Sequence, residues 1–213
     1  MVDGYLRQSP LAHMHLEARA ANEPQENEIG VEMGERPLLG MINLRAQKSD
    51  PVFLSTIKQN LGLDVPTDVN TVSESIDGIY TLCLGPDEWL IVAPSNKEQK
   101  IHNDLRQALE HLHTSINLIG ESRTVIRLNG LNARDTLAKG CSLDLHPRAF
   151  KPGQCAQTIL GRSDITIHQV AHEDKTNAAK YDIIVLRSFA EYVWTWLEDA
   201  AREYGVRVVI HPS

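Results

Sequence analysis

From Pro37 onward, apolar positions change their period in a repeating order. Leu38–Leu44 reads as a strand. Asp50 followed by Pro51 predicts a helix start, with Phe53, Leu54, Ile57 and Leu61 as its buried stripe and Gly62 as its end. Thr71–Ile76, Ile79–Leu84 and Trp89–Ala93 read as three short strands, parted by Asp77-Gly78 and Gly85-Pro86-Asp87 turns. Ser95-x-x-Glu98 reads as a capping box opening a helix over 96–113, whose stripe is Ile101, Leu105, Ala108, Leu109 and Leu112. Ser115–Ile119 is again a strand.

The second half predicts the same order. Arg123–Leu128 is a strand, Asn132–Lys139 a short helix ended by Gly140, and Cys155–Leu160, Asp164–Val170 and Tyr181–Leu186 three strands. Ser188-x-x-Glu191 reads as a second capping box, opening a helix over 189–204. Phe189, Tyr192, Val193, Trp196, Leu197, Ala200 and Tyr204 form its expected buried stripe, and Val206–Ile210 closes the chain as a strand. LIVAPSNKE (90–98) aligns without gaps to IIVLRSFAE (183–191). The expected fold is therefore α+β, built from two ferredoxin-like β-α-β-β-β-α-β pseudo-repeats over 37–120 and 121–213. Residues 1–36 lack this density. A short amphipathic helix near Leu11–Ala21 is allowed, and Asn22–Arg36 reads as irregular, either a solvated tail or an arm that orders against a partner.

Composition narrows the function classes. The net charge is -7 and no basic tract interrupts it, which argues against nucleic acid as a partner. No apolar run approaches the roughly 18 residues of a membrane span. The N-terminus has no signal-peptide core, and Cys83, Cys141 and Cys155 are odd in number and widely spaced. Both observations point to the cytoplasm.

No dinucleotide fingerprint, P-loop, nucleophile elbow or HExxH helix occurs. Cys141, His146 and Cys155 are the nearest approach to a zinc set, at a spacing looser than zinc ligands usually show. His111 and His113 suit a helix C-terminus, His13 and His15 are adventitious ligands at most, and His168 is expected on the surface. Asp87 with Glu88 and Glu198 with Asp199 are paired in sequence without a cleft to serve. The loop Cys141–Gln154 stands out, because it gathers His146, Arg148, Phe150 and Lys151 on an acidic chain and is stiffened by Pro147 and Pro152. It reads as a docking loop or as a plain surface crossover. Trp194 falls off the expected stripe, and an exposed Trp there hints at a protein interface. His146, Arg148, Phe150 and Trp194 are thus the candidate partner-contact residues.

Three segments resemble the sarcosine oxidase gamma-subunit family: LGPDEWLIVAP (84–94), SRTVIRLNGLNARDTLAKGCSLDLHPRAFKPGQCAQTILGR (122–162) and RSFAEYVWTWLEDAAREYGV (187–206). The resemblance runs from about Arg36 to the C-terminus, leaving the N-terminal arm and AHEDKTNAAK (171–180) without family signal. It implies a non-catalytic subunit that carries no cofactor or metal itself. Its alpha, beta and delta partners would hold FAD, FMN, NAD and zinc. Such a complex oxidatively demethylates sarcosine to glycine, with tetrahydrofolate as one-carbon acceptor and hydrogen peroxide as product. It also implies a fold similar to the folate-binding domain of aminomethyltransferase. The rival reading is a stand-alone, folate-binding, aminomethyltransferase-like enzyme.

Overall fold

Among the described residues, a 3₁₀ turn (Ala12–Met14), helix α1 (Leu16–Asn22) and strand β1 (Val31–Arg36) precede the repeats. The computed structural model describes residues 6–22, 29–170 and 178–211, and these fall into two units. Most of the insert 171–180 lies outside the described residues.

The smaller unit spans 39–121 with 153–156. It runs β2 (Gly40–Arg45), α2 (Pro51–Leu61), β3 (Val72–Glu74), β4 (Tyr80–Gly85), β5 (Glu88–Ala93), α3 (Glu98–Ala108), β6 (Ser115–Leu118). Its antiparallel sheet has the order β3-β4-β5-β2-β6. Asp50 caps α2 through the Val52 and Phe53 amides, at 2.8 and 3.3 Å, and Gly62 ends the helix in the left-handed conformation. Ile42, Leu44, Cys83, Trp89 and Ile91 face α2 and α3, where Phe53, Ile57, Ile101 and Leu105 fill the core. The Phe53 and Trp89 rings lie 5.2 Å apart, and the buried indole N–H donates to the Pro66 carbonyl at 2.8 Å. Met41, Tyr80, Leu82, Leu90 and Val92 point the other way and are buried as well. Burial on both faces explains why β4 and β5 read as apolar runs rather than alternating strands.

The larger unit has the same element order: β7 (Arg123–Gly130), α4 (Ala133–Ala138), β8 (Gln154–Leu160), β9 (Ser163–Gln169), β10 (Ala179–Leu186), α5 (Ala190–Ala201), β11 (Val206–Val208). Its sheet runs β8-β9-β10-β7-β1-β11. This is the order of the smaller unit with one addition: β1 sits between β7, to which it is antiparallel, and β11, to which it is parallel. The segment read as irregular thus supplies an interior strand. Its polar residues disguised it, yet each is satisfied. Glu32 accepts from Arg207 and Asn129, Glu35 from Ser9 and Thr124, and Arg36 donates to Asp182. The preceding segment is also tied down. Leu11 and Leu16 are buried, Arg19 pairs with Glu198, and the Gln8 carbonyl accepts from Arg187 at 2.7 Å.

Both helices begin later than the expected capping boxes place them. α3 begins two residues later than read, with Lys97 at its cap and Asn96 at a φ of 66°. The chain before α5 takes a 3₁₀ turn over Arg187–Phe189, which places Ser188 inside the turn rather than at a cap. Both helices are shorter than their stripes suggested, α3 giving way to a turn after Ala108 and α5 to a 3₁₀ turn over Arg202–Tyr204.

Gly34 is required by crowding. A Cβ there would meet the Val209 carbonyl at 2.3 Å and the His211 ring at 2.7 Å. Gly34→Ala should force β1 and the C-terminal segment apart, at a cost of about 1–3 kcal/mol in urea denaturation. An unchanged midpoint would show that the two segments are not packed this closely.

Candidate subunit interface

The loop after α4 is a pinned turn. Leu145 and Phe150 are buried, Phe150 at 4% exposure, and the amides of Ala149 and Phe150 close back on the His146 carbonyl at 2.8 and 2.9 Å. Asp144 Oδ1 accepts from the His146 amide at 2.9 Å, and His146 Nδ1 from the Arg148 amide at 3.2 Å. The result is an exposed tip bearing His146 and Arg148. The Asp144 carboxylate is thus spent on the turn backbone, and no ion pair with Arg148 forms among the described residues. Phe150 is correspondingly an anchor for the tip, not a free contact residue.

Trp194 requires a correction. It is completely buried at 0% exposure, together with Ala190, Val193, Leu197 and Ala201. The inward face of α5 is rotated by about one residue from the expected stripe, or ~100° of helix. The other half of that stripe therefore turns outward: Phe189 and Tyr192 are exposed and Trp196 is partly so. Two glycines let this ridge lie down. A Cβ at Gly140 would meet Trp196 Cζ2 at 2.3 Å, and one at Gly161 would meet the Tyr192 hydroxyl at 2.6 Å. The Tyr192 hydroxyl accepts from the Arg162 amide at 3.1 Å. Aromatic residues in such a position are the type enriched at protein interfaces. Their spacing of i, i+3 and i+7 is visible in the sequence, where the same spacing also fits a buried stripe.

The chemistry-bearing residues that the structure does bring together lie across the larger sheet. Arg127 on β7, Asp182 on β10 and His168 on β9 are register neighbours in one row. Arg127 grips Asp182 through two hydrogen bonds, Nε to Oδ1 at 2.7 Å and Nη2 to Oδ2 at 2.8 Å, and Arg36 adds a third at 2.8 Å. Burial pushes the Asp182 carboxyl upward, but the hydrogen bonds and charge of Arg127, then Arg36, outweigh it and hold the group below its usual range. His168, expected on the surface, is 3% exposed. The alternation that should have turned it outward does so, but that face of the sheet is buried too. Burial, helped by the charges of Arg127 and Arg36 and opposed by Asp182, pushes its imidazole down to about 4. His211 is also driven down to about 4, by burial first and then by Arg127.

Nothing in these groups forms a reactive constellation. Among the described residues, no cluster of three or more His, Cys, Asp or Glu side chains could hold a metal ion. Cys141 and Cys155 are buried while His146 stands exposed on its tip. Burial, then the neighbouring Cys83, pushes the Cys155 thiol up to about 12, which makes it a poor nucleophile. No described helix is long and apolar enough to cross a membrane.

Two outcomes follow from the row. Asp182→Asn leaves two half-buried guanidinium groups without this buried anion and should cost about 3 kcal/mol or more in chemical denaturation at pH 7. His168 and His211 are both lowered from 6.5 to about 4, so over that interval the unfolded chain binds protons that the folded chain does not. Their contribution is complete above pH 6.5 and is lost as pH falls through this window. His168→Gln should flatten that slope; an unaltered pH profile would remove His168 as its source.

Comparison with known proteins agrees with this picture. Residues 45–203 match the family described as "Sarcosine oxidase, gamma subunit family". The curated sarcosine oxidase subunit gamma of Corynebacterium sp. (strain P-1) is 29% identical over 200 residues, covering 94% of this chain and 92% of that protein. The subunit of the same name from an Arthrobacter species is 30% identical over 145 residues, covering 68% of each. A chain in the structure of heterotetrameric sarcosine oxidase from Corynebacterium sp. U-96 in complex with pyrrole 2-carboxylate matches with a TM-score of 0.80 at 29% identity, covering 93% of this chain and 96% of that one. The glycine cleavage system aminomethyltransferase T of Bartonella henselae has the same fold over 96% of this chain and 59% of that one, with a TM-score of 0.69 at 14% identity. A family match spanning most of the chain, joined to the β-α-β-β-β-α-β duplication, places this protein in the sarcosine oxidase gamma subunit family.

Proposed function

We propose that this chain is the non-catalytic gamma subunit of a four-subunit, flavin-dependent sarcosine oxidase. The observation that carries the reading is the near-complete match, on both sides, to a chain of a heterotetrameric sarcosine oxidase. In this reading the assembled enzyme, located in the cytoplasm, oxidatively demethylates sarcosine to glycine, passes the one-carbon unit to tetrahydrofolate and releases hydrogen peroxide. FAD, FMN, NAD and zinc belong to the alpha, beta and delta partners. The gamma chain contributes surface rather than chemistry. Its pseudo-repeats, 37–120 and 121–213, form a scaffold, and the segment 1–36 adds β1 to the sheet of the second.

The docking surface is assigned to the tip at His146 and Arg148, with Phe150 and Trp194 holding the tip and α5 in place from inside. Arg148 is exposed and has no ion-pair partner among the described residues, so its guanidinium is available to a carboxylate on a partner. The aromatic ridge Phe189, Tyr192 and Trp196 is a second contact of the type that interfaces favour. The stand-alone folate enzyme is the weaker reading, because the aminomethyltransferase likeness at 14% identity bears on fold alone.

Co-purification from the native host tests the assignment. The chain is expected to elute with three other subunits and flavin absorbance, and to be colourless and inactive when produced alone. Elution as a single species with folate-dependent activity of its own would overturn it. Arg148→Ala should leave the stability of the free chain unchanged and weaken assembly by about 2 kcal/mol if the residue is an interface hot spot. Unchanged assembly would move the docking surface elsewhere.

A further inference from the structure

The hairpin that joins β8 to β9 turns on Gly161 and Arg162. Gly161 has a φ of 61° and Arg162 stays at negative φ, the pattern of a two-residue hairpin turn with glycine first. The tip is held from both sides. The Gly161 amide donates to the Gly140 carbonyl at 3.0 Å, and the Arg162 amide donates to the Tyr192 hydroxyl of α5 at 3.1 Å. The turn is therefore restrained before anything covers it, and little further ordering is needed on binding.

Side-chain donors gather at this turn. A Cβ on Gly161 would lie 2.6 Å from the Tyr192 hydroxyl and 3.4 Å from Trp196 Nε1, so both groups border one spot. The Tyr192 oxygen already accepts from the Arg162 amide, while its own hydrogen has no acceptor among the described residues. The Trp196 indole N–H donates to nothing among them either. Arg162 is exposed and forms no ion pair among the described residues. The carboxylates of the neighbouring helix are committed elsewhere: Glu191 to His13, Glu198 to Arg19, Asp199 to Arg202 and Glu203 to Lys139. Asp164 lines a separate hollow with Thr166 and Ile184. The turn thus presents a guanidinium, a phenol O–H and an indole N–H on a chain of net charge -7. A surface that covers it must supply an acceptor or leave those donors desolvated and unpaired, which is costly.

We propose that Arg162, Tyr192 and Trp196 form a carboxylate-binding docking point whose occupant is an Asp or Glu side chain of a partner subunit. This rests on the gamma-subunit reading and extends it by naming what the aromatic ridge meets. A positive, donor-rich spot on an acidic chain is complementary to an acidic spot on the partner. The planar guanidinium matches a carboxylate through two parallel hydrogen bonds, and the flanking rings shield that pair from water. Arg, Tyr and Trp are also the types over-represented among interface hot spots. A groove of about 640 Å³ runs on from Tyr192 and Trp196 to Val206, and the acids that line it, Glu198 and Asp199, are among those already paired. It has room for the residues that flank the bound carboxylate.

The four subunits are produced together, and the intact complex is followed by sedimentation on dilution. Arg162→Ala should lower the affinity of this chain for the rest of the complex by about thirtyfold or more, while the urea midpoint of the free chain stays unchanged. Arg162→Lys should lose less than Arg162→Ala, because it keeps the charge and gives up only the fork. Tyr192→Phe should lower the affinity by about tenfold. In the complex carrying Arg162→Lys, a zero-length carbodiimide should couple the new amine to one Asp or Glu of a partner subunit, located by mass spectrometry. Coupling to a second copy of this chain, or to no partner residue, overturns the carboxylate occupant. A stable four-subunit complex whose affinity is unchanged by Arg162→Ala overturns the docking point and leaves the gamma-subunit reading standing. Failure of the unmodified chain to join any such complex overturns that reading, and the docking point with it.

Discussion

The larger sheet is organised by one buried carboxylate. Asp182 on β10 has no access to water, and its two oxygens are held by Arg127 on β7 and Arg36 on β1. Burying a lone carboxylate would cost far more than any single contact nearby could return. The two guanidinium groups offset that cost only when both strands are in place. The interaction therefore sets the register of three neighbouring strands at once: a slip of one residue in β1 or β7 would turn an arginine to the opposite face and leave Asp182 uncompensated. The same pair explains why β1 ends on a charged residue while lying in the interior of a sheet.

Asp182 also distinguishes the two repeats. In the smaller unit β2 and β6 pair directly, and the sheet is held by apolar burial on both faces. In the larger unit β1 is inserted at the corresponding place and brings Glu32, Glu35 and Arg36 with it. The shared element order supplies the scaffold. The inserted strand brings the buried charges.

Much of this architecture was legible in the sequence because local signals agreed with tertiary demands. Asp50-Pro51 caps α2, Gly62 ends it, and the strand-to-helix joints at 90–98 and 183–191 occupy equivalent places in the element order. What escaped detection depended on partners distant in the chain. Nothing local in VEMGER predicts a strand, because its acids and its arginine are satisfied by residues as remote as Asn129, Asp182 and Arg207. The outward appearance of Trp194 and His168 was misleading for a related reason. Helical phase cannot be fixed when both sides of a helix are aromatic, and alternation does not imply exposure when both sheet faces are covered. The tip at His146 and Arg148 could be found from composition, whereas the burial of Phe150 beneath it could not.

The placement of β1 carries a consequence for how the chain matures. Val31 pairs with Val206 and Met33 with Val208, so the sheet joins β1 to a segment made long after it in synthesis. The smaller unit draws nearly all of its residues from one continuous stretch and can close while translation continues. The larger sheet must wait, because β1 has no neighbours until β7 and then β11 emerge. Such long-range closure is intrinsically slow. It also means that a fragment starting at residue 121 would leave the facing edges of β7 and β11 open, which are the edges through which strands pair with the wrong chain. Strand β1 thus acts as a tether that keeps β11 from pairing elsewhere, and the nascent chain has to hold it in reserve until β11 emerges.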